Sequence, residues 1–169
     1  MIDILMLYPD TFRYEDRSIT DPITVKLGEH KIIDRFKIEE NKRGVESAIV
    51  HSMSIQLNSP MAIIRVEYQY GSRVFYAEGS PISLRELNLS TPNPTGLWLS
   101  RYDDTEKIYV INYTPIRGLP FWDEIRVFVI PTTEDVTVEW YSRLFLVFDL
   151  RRVDEVIRSW FGVVKALKS

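Results

Sequence analysis

The sequence predicts an all-β protein, an antiparallel β-sandwich followed by one C-terminal amphipathic helix. Apolar and polar residues alternate with a period of two over several short runs. Turn-forming residues separate these runs about every ten residues, as in sandwiches and barrels. No long helical pattern comes before residue 150. We therefore predict a sandwich domain over residues 1–150 and a helix within 151–169.

The first third of the chain contains four predicted strands. Ile2–Leu7 is a candidate edge strand, and Ile23–Leu27 and Lys31–Ile38 have strand-like composition. Val45–Leu57 alternates most clearly, and its odd positions, which include His51, form the predicted core face.

Two pairs of runs predict β-hairpins. In each pair, two segments rich in β-branched and aromatic residues flank a short turn. The first pair is Met61–Tyr70 and Arg73–Ala77 around Gly71 and Ser72, and the second is Leu97–Tyr102 and Lys107–Tyr113 around Asp103–Glu106.

A short helical segment and two further strands complete the domain. Ser80 and Pro81 favour one or two helical turns up to Leu87, with Ser80 as the N-cap. Phe121–Ile130 and Val136–Leu150 are predicted as strands. The even positions of Val136–Leu150 form the predicted core face. Its later odd positions are apolar as well, so we expect the second half to be covered on both faces.

The segment 151–168 is the one strong helical pattern. Apolar residues recur there at steps of three and four, and charged residues lie mostly on the other side. This stripe can cover its own sheet, contact a neighbouring subunit or lie on a lipid surface. The predicted partner-contact residues are Phe145, Val147, Val153, Val156, Ile157, Trp160, Phe161, Val164 and Leu167.

The composition excludes several classes of function. A net charge of −3 gives no electrostatic footprint for nucleic acid. The chain has no cysteine, so disulfides, thiol catalysis and cysteine-held metals are excluded. It also lacks a signal peptide and a membrane span, so we expect it to be made in the cytoplasm. Five Asn, two Gln, no Cys, fourteen Arg against seven Lys, and abundant Ile, Val, Tyr and Glu favour a protein kept intact at high temperature.

No residue set supports catalysis, and we predict that the protein is not an enzyme. The two histidines are His30, beside a turn, and His51, which we expect to be packed in the core. Asp103, Asp104 and Glu106 lack the spacing of a calcium loop and predict a polar hairpin tip. We expect no cofactor and no metal. Asn88 and Asn112 match the glycosylation pattern, which leaves modification there open.

Aromatic residues concentrate in the second half of the domain. They can form a sugar-stacking platform, with Trp98 and Trp122 as the stacking residues, or they can fill the core and contact a partner protein. Alternation within each strand sends some of them inward, which favours core packing and partner contact.

About eight strands in two layers is the strand count of a jelly roll. Five parts of the sequence carry a resemblance to a known family. They are the paired strands of residues 45–70, the Ser80–Leu84 turn, the Trp98–Asp103 hairpin, the Tyr113–Phe121 segment and the long last strand. This part of the chain resembles single jelly-roll virion proteins, the minor capsid, penton or turret-type components of icosahedral viruses, including those of hot-spring archaea.

The resemblance implies a structural protein of the virion, made in the host cytoplasm, that assembles with itself or with other coat proteins. It implies no catalytic residues. The alternative is a jelly-roll carbohydrate-binding module, for which a glycan would be the partner.

Overall fold

The computed structural model describes residues 12–38, 45–77, 79–89, 98–115 and 120–149. The predicted strand at 2–7 and the predicted helix at 151–168 lie outside these ranges. Seven of the nine predicted partner-contact residues therefore lie outside them as well, namely Val153, Val156, Ile157, Trp160, Phe161, Val164 and Leu167.

Within the described ranges the chain forms twelve strands and one short helix. The first six strands are β1 (Phe12–Ile19), β2 (Ile23–Val25), β3 (Lys31–Lys37), β4 (Val45–Leu57), β5 (Ala62–Tyr70) and β6 (Arg73–Tyr76). They are followed by β7 (Ile82–Ser83), α1 (Leu84–Leu89), β8 (Trp98–Asp103), β9 (Ile108–Tyr113), β10 (Pro120–Phe121), β11 (Glu124–Pro131) and β12 (Val136–Asp149).

The strands form two antiparallel sheets. The large sheet has the order β1-β12-β4-β9-β8, with β2 also on β12 and β10 on β4. The small sheet has the order β3-β11-β5-β6, with β7 also on β5. The predicted all-β, antiparallel, two-sheet architecture is confirmed, and both predicted hairpins are present as β5–β6 and β8–β9.

The core lies between the two sheets. At its centre Phe36, Phe121 and Phe145, from three different strands, meet edge to face with ring centroids 5.3–6.1 Å apart. Tyr68 stacks on Phe121 at 5.7 Å. Such aromatic pairs add stability beyond the area that they bury, so this cluster ties β3, β5, β10 and β12 together.

A β-bulge at His51 changes which face of β4 is buried. The register with β12 shifts there, because Leu144 is opposite Ser52 and Phe145 is opposite Val50. Before the bulge the even positions are buried, and after it the odd positions are buried. His51 is exposed. The prediction of a core histidine was therefore wrong.

A second bulge, at Glu139, inverts β12 in the same way. Val138 is opposite Leu57 and Trp140 is opposite Gln56, so Glu139 has no counterpart on β4. From Tyr141 onward the odd positions face the core, and Phe145 and Val147 are fully buried in it. These two residues are packing residues of the sandwich, which corrects their prediction as partner contacts. Leu144, Leu146 and Phe148, predicted as core, alternate with them on the other face and are half-buried.

Three further elements differ from the prediction. Strand β1 was missed, and the predicted run Phe121–Ile130 divides between β10 in the large sheet and β11 in the small one. The helix begins at Leu84. Ser80 does not cap it, because its Oγ instead accepts a hydrogen bond from the Val66 N–H at 2.7 Å.

A charged cluster crosses the core between the sheets. A bulge in the β3–β11 pairing turns both Ile33 and Asp34 inward. Asp34 Oδ2 accepts hydrogen bonds from Arg143 Nε at 2.7 Å and from the Tyr141 hydroxyl at 2.9 Å. Asp34 Oδ1 accepts one from Arg17 Nη1 at 2.7 Å. The Arg143 guanidinium also lies 4.1 Å from the centroid of the Phe145 ring.

We expect the fold to lose stability in alkali through two buried tyrosines. Burial, and then the Asp34 carboxylate, raise the pKa of Tyr141 well above its ordinary value of 10.0. Burial, and then Tyr113, raise the pKa of Tyr68. The folded state therefore keeps both protons at a pH where the unfolded chain releases them.

Below pH 10 both tyrosines are protonated in the folded and the unfolded state, so they do not lower the free energy of unfolding. Above pH 10 this free energy should fall by up to about 2.7 kcal/mol per pH unit. Urea unfolding at pH 8, 10 and 11 measures this decline. Tyr68→Phe should make the decline shallower by about half. An equal decline in wild type and variant would contradict the role of Tyr68.

Candidate functional site

Exposed apolar side chains gather at one edge of the small sheet. Four of the nine exposed large apolar residues in the described ranges are Val74, Phe75, Tyr76 and Trp122. With the half-buried Tyr70 they form what we call the edge patch. A cluster of exposed apolar side chains marks an interaction site more often than single exposed residues do.

The β5–β6 turn presents one side of the edge patch. Gly71 adopts a left-handed conformation with φ of 58°, which glycine tolerates without strain. The Gln69 side-chain amide donates to the Gly71 carbonyl at 3.0 Å. This tight turn sends β6 directly back along β5, and all four residues of β6 are exposed.

The β10–β11 turn presents the other side, and two hydrogen bonds clamp it to the first turn. The Gly71 N–H donates to Asp123 Oδ2 at 2.7 Å, and the Tyr70 hydroxyl donates to the Pro120 carbonyl at 2.9 Å. Trp122 is held against Tyr70, with ring centroids 4.6 Å apart and planes at 50°. Phe75 contacts the same tyrosine edge to face at 5.4 Å. The aromatic rings are therefore positioned by the fold before any partner arrives.

The chemistry of the edge patch is that of binding. Burial raises the pKa of Tyr70, so its hydroxyl keeps its proton and its hydrogen bond. Arg73 is the one charged side chain of β6. The patch therefore offers aromatic faces, an aliphatic side chain and an exposed strand, which suit contact with another apolar surface.

The two predicted stacking residues have different environments. Trp98 is 1 % exposed and packs on Tyr113, with ring centroids 4.4 Å apart. A Cβ atom at Gly79 would lie 2.8 Å from its ring, so the backbone closes over it. Trp98 is a core residue, and its prediction as a stacking residue was wrong. Trp122 is 60 % exposed and belongs to the edge patch.

The other chemically interesting residues form no site among the described ranges. Asp103 Oδ1 accepts hydrogen bonds from the N–H groups of Thr105 and Glu106 at 3.0 and 3.2 Å, so it caps its own hairpin turn. His51 lies edge-on to Tyr14, with ring centroids 5.7 Å apart. In the described ranges no three metal-ligating side chains come together. No helix described there has the length and apolarity that a bilayer crossing requires.

Ion pairs cover the outer face of the small sheet beside the edge patch. They run across three neighbouring strands and include contacts of 2.8–3.6 Å between Arg65 and Glu67, Arg126 and Glu67, Arg126 and Glu124, and Arg35 and Glu124. Arg65 also lies over the Phe128 ring at 4.3 Å. These contacts balance charge, but the Nε atoms of Arg65 and Arg126 are buried and make no hydrogen bond within the described ranges. This face is charged, in contrast to the edge patch.

Sequence reasoning identified Trp122 but missed Tyr70 and the three apolar residues of β6 as a site. The available signal was the run Val74–Tyr76, three large apolar residues in succession immediately after a tight turn. A half-buried strand alternates, whereas this one does not. Its lack of alternation fits a strand that is exposed on both faces.

No protein-family model matches the sequence, and no curated protein matches it significantly.

Proposed function

We propose that this protein is a structural component of a virion, a jelly-roll coat protein that assembles with its own copies or with other coat proteins. The observation that supports this proposal most strongly is the edge patch, a preformed aromatic surface with no catalytic group in it. Proteins that assemble use apolar contact surfaces of this kind, with aromatic side chains as anchors.

The strand pairing supports the jelly-roll part of the proposal. Pairing is nested from the ends of the chain inward, since β1 and β2 pair with β12, β3 with β11, β4 with β9, and β5 with β6. A long antiparallel hairpin that wraps around a core produces this nesting. The jelly roll is such a double Greek key of eight strands, and viral capsid proteins and lectins use it.

The proposal includes the C-terminal amphipathic helix predicted within 151–169. Its apolar stripe would supply a second contact, either on the sandwich or on a neighbouring subunit. In the second case the edge patch and the helix would bind different neighbours, as assembly into a closed shell requires.

Self-association is the direct test of the proposal. Multi-angle light scattering of the full chain over a hundredfold range of concentration should show a mass that rises above that of a monomer. Trp122→Ala should weaken association about tenfold, because buried tryptophans are frequent interface anchors.

Tyr14→Ala is the matched control, since Tyr14 is also 60 % exposed but lies on β1 of the large sheet. It should leave the association unchanged. A strictly monomeric chain at every concentration, with no co-sedimentation with particles formed by the products of the genes that flank its own, would contradict the proposal.

A carbohydrate-binding module remains the second candidate, because Trp122 presents an exposed ring supported from below by Tyr70. Titration of a monomeric sample with a glycan panel separates the two functions. Sugar binding that is lost in Trp122→Ala favours the carbohydrate-binding module, whereas no binding favours assembly.

A further inference from the structure

Among the described residues, strand β6 ends the small sheet with no strand paired on its far side, and its pairing with β5 determines which of its backbone groups point away from the sheet. The Ala77 N–H donates to the Val66 carbonyl at 2.9 Å, so Ala77 and Val66 stand at a hydrogen-bonding position of the ladder, although the Val66 N–H itself donates to Ser80 Oγ. In an antiparallel ladder such pairs alternate with non-bonded pairs. The register places Tyr76 opposite Glu67 and Val74 opposite Gln69, which are then non-bonded pairs. The backbone N–H and C=O groups of Val74 and Tyr76 therefore point away from β5.

The side chains of β6 do not protect this edge. Val74, Phe75 and Tyr76 are 47 %, 49 % and 56 % exposed, and they carry apolar groups to both faces of the sheet. Natural edge strands are usually guarded by charges, proline or a bulge. By contrast, the described edge strand β1 carries four charged residues, Arg13, Glu15, Asp16 and Arg17.

We propose that β6 pairs antiparallel with β6 of a second copy about a two-fold axis, with Phe75 opposite the second copy's Phe75. This inference rests on the proposed assembly function and names the partner of its edge patch. An axis normal to the sheet keeps the inner and outer faces matched, so only registers that pair residues of the same face are allowed.

Among those registers, the one centred on Phe75 uses the free backbone groups fully. It sets Val74 opposite the second copy's Tyr76, and Tyr76 opposite the second copy's Val74. Both residues of each pair present their N–H and C=O groups outward, so four hydrogen bonds form. The registers centred on Val74 or on Tyr76 bring only one such pair together within the strand.

Side chains and charge favour the same register. It creates two valine–tyrosine pairs and one phenylalanine–phenylalanine pair, all of which are favourable cross-strand combinations. The charged residue of β6, Arg73, falls opposite Ala77 and away from the second copy's Arg73. No like charges are opposed, so the strand is complementary to itself.

The area that the edge patch can bury is that of a weakly associating dimer. An aromatic side chain buries roughly 150–250 Å², and the exposed parts of Val74, Phe75, Tyr76 and Trp122 offer on the order of 800 Å² for two copies together. Stable interfaces bury about 1,600 Å². The two-fold pair should therefore form in a concentration-dependent way and gain strength when other contacts of an assembly hold the copies together.

Single cysteines test the register, because the chain has no cysteine of its own. In the proposed pair the two residues at position 75 form a non-hydrogen-bonded pair with Cα atoms about 4.5 Å apart, within disulfide range. Phe75→Cys should give a disulfide-linked dimer under mild oxidation. Val74→Cys and Tyr76→Cys are matched controls that should not, since their copies lie diagonally at about 7–8 Å.

A second pair of variants tests the backbone hydrogen bonds between the two copies of β6. In the Phe75→Cys background, Val74→Pro removes an N–H that points to the second copy and not to β5, so it should reduce cross-linking at least tenfold. Val74→Ala keeps that N–H and should reduce it less. Circular dichroism and the melting temperature of the reduced proteins verify that each variant folds.

Each outcome separates the register from the assembly function. Cross-linking at position 74 or 76 in place of 75 overturns the register. No cross-linking at any of the three positions, with a wild-type mass that still rises with concentration, overturns β6 pairing but leaves the assembly function intact. No cross-linking together with a strictly monomeric wild type that also fails to co-sediment with the particles overturns both.

Discussion

Asp34→Ala should destabilise the fold by about 3–5 kcal/mol, because it leaves a buried arginine without its counter-charge. The side chains of Arg143 and Asp34 are 4 % and 2 % exposed, and their contact is 2.7 Å long. The same carboxylate accepts from the Tyr141 hydroxyl. These bonds link β3 of the small sheet to β12 of the large sheet, so their loss weakens the contact between the two layers. Urea unfolding at pH 7 measures the loss.

Two further variants distinguish an uncompensated charge from a general loss of packing. Arg17 also binds Asp34, but its side chain is 47 % exposed, and Arg17→Ala should lower stability by about 1 kcal/mol or less. The double variant Asp34→Leu with Arg143→Met removes both charges and should recover much of the loss. A stability of Asp34→Ala within about 1 kcal/mol of wild type would contradict this account.

The parts of the fold that are determined by residues close together in the sequence could be predicted from it. Both hairpins are specified by short turns between β-rich runs, and Val45–Leu57 has the predicted bounds of β4. Strand β1 could not be found in this way, because its charged residues conceal its alternation. The partner of Arg17 is Asp34 in the interior, seventeen residues away in the chain.

The candidate site could be predicted only in part for a similar reason. Trp98 and Trp122 have comparable local sequence contexts, yet the first is covered by backbone at Gly79 and the second projects from a turn. Which of them is exposed depends on the packing of distant segments. The exposure of β6 likewise depends on strand order, since it follows from the position of β6 at the end of the small sheet.

The bulges at His51 and Glu139 explain why the wrong faces of β4 and β12 were predicted to be buried. A strict period of two extends one parity along a whole strand, whereas one extra residue inverts every later side chain. The extra residue is defined by the pairing between β4 and β12, which lie about ninety residues apart in the chain. Alternation therefore identified both strands correctly but assigned the wrong face to half of each.

Phe145→Ala and Leu146→Ala measure the orientation of β12 directly. Phe145 is fully buried against Phe36, Phe121 and Arg143, so its truncation should destabilise the fold by about 3–5 kcal/mol. Leu146 is the matched control, since it is the next residue in the same strand, is half-buried and faces away from the core. Its truncation should cost under about 2 kcal/mol.

An uninterrupted alternation from Val136 would give the reverse order, because it would place Leu146 in the core and Phe145 on the surface. Equal losses in urea unfolding would contradict the bulge at Glu139, whereas a clear excess for Phe145 would establish that this residue belongs to the sandwich and leaves partner contact to other residues.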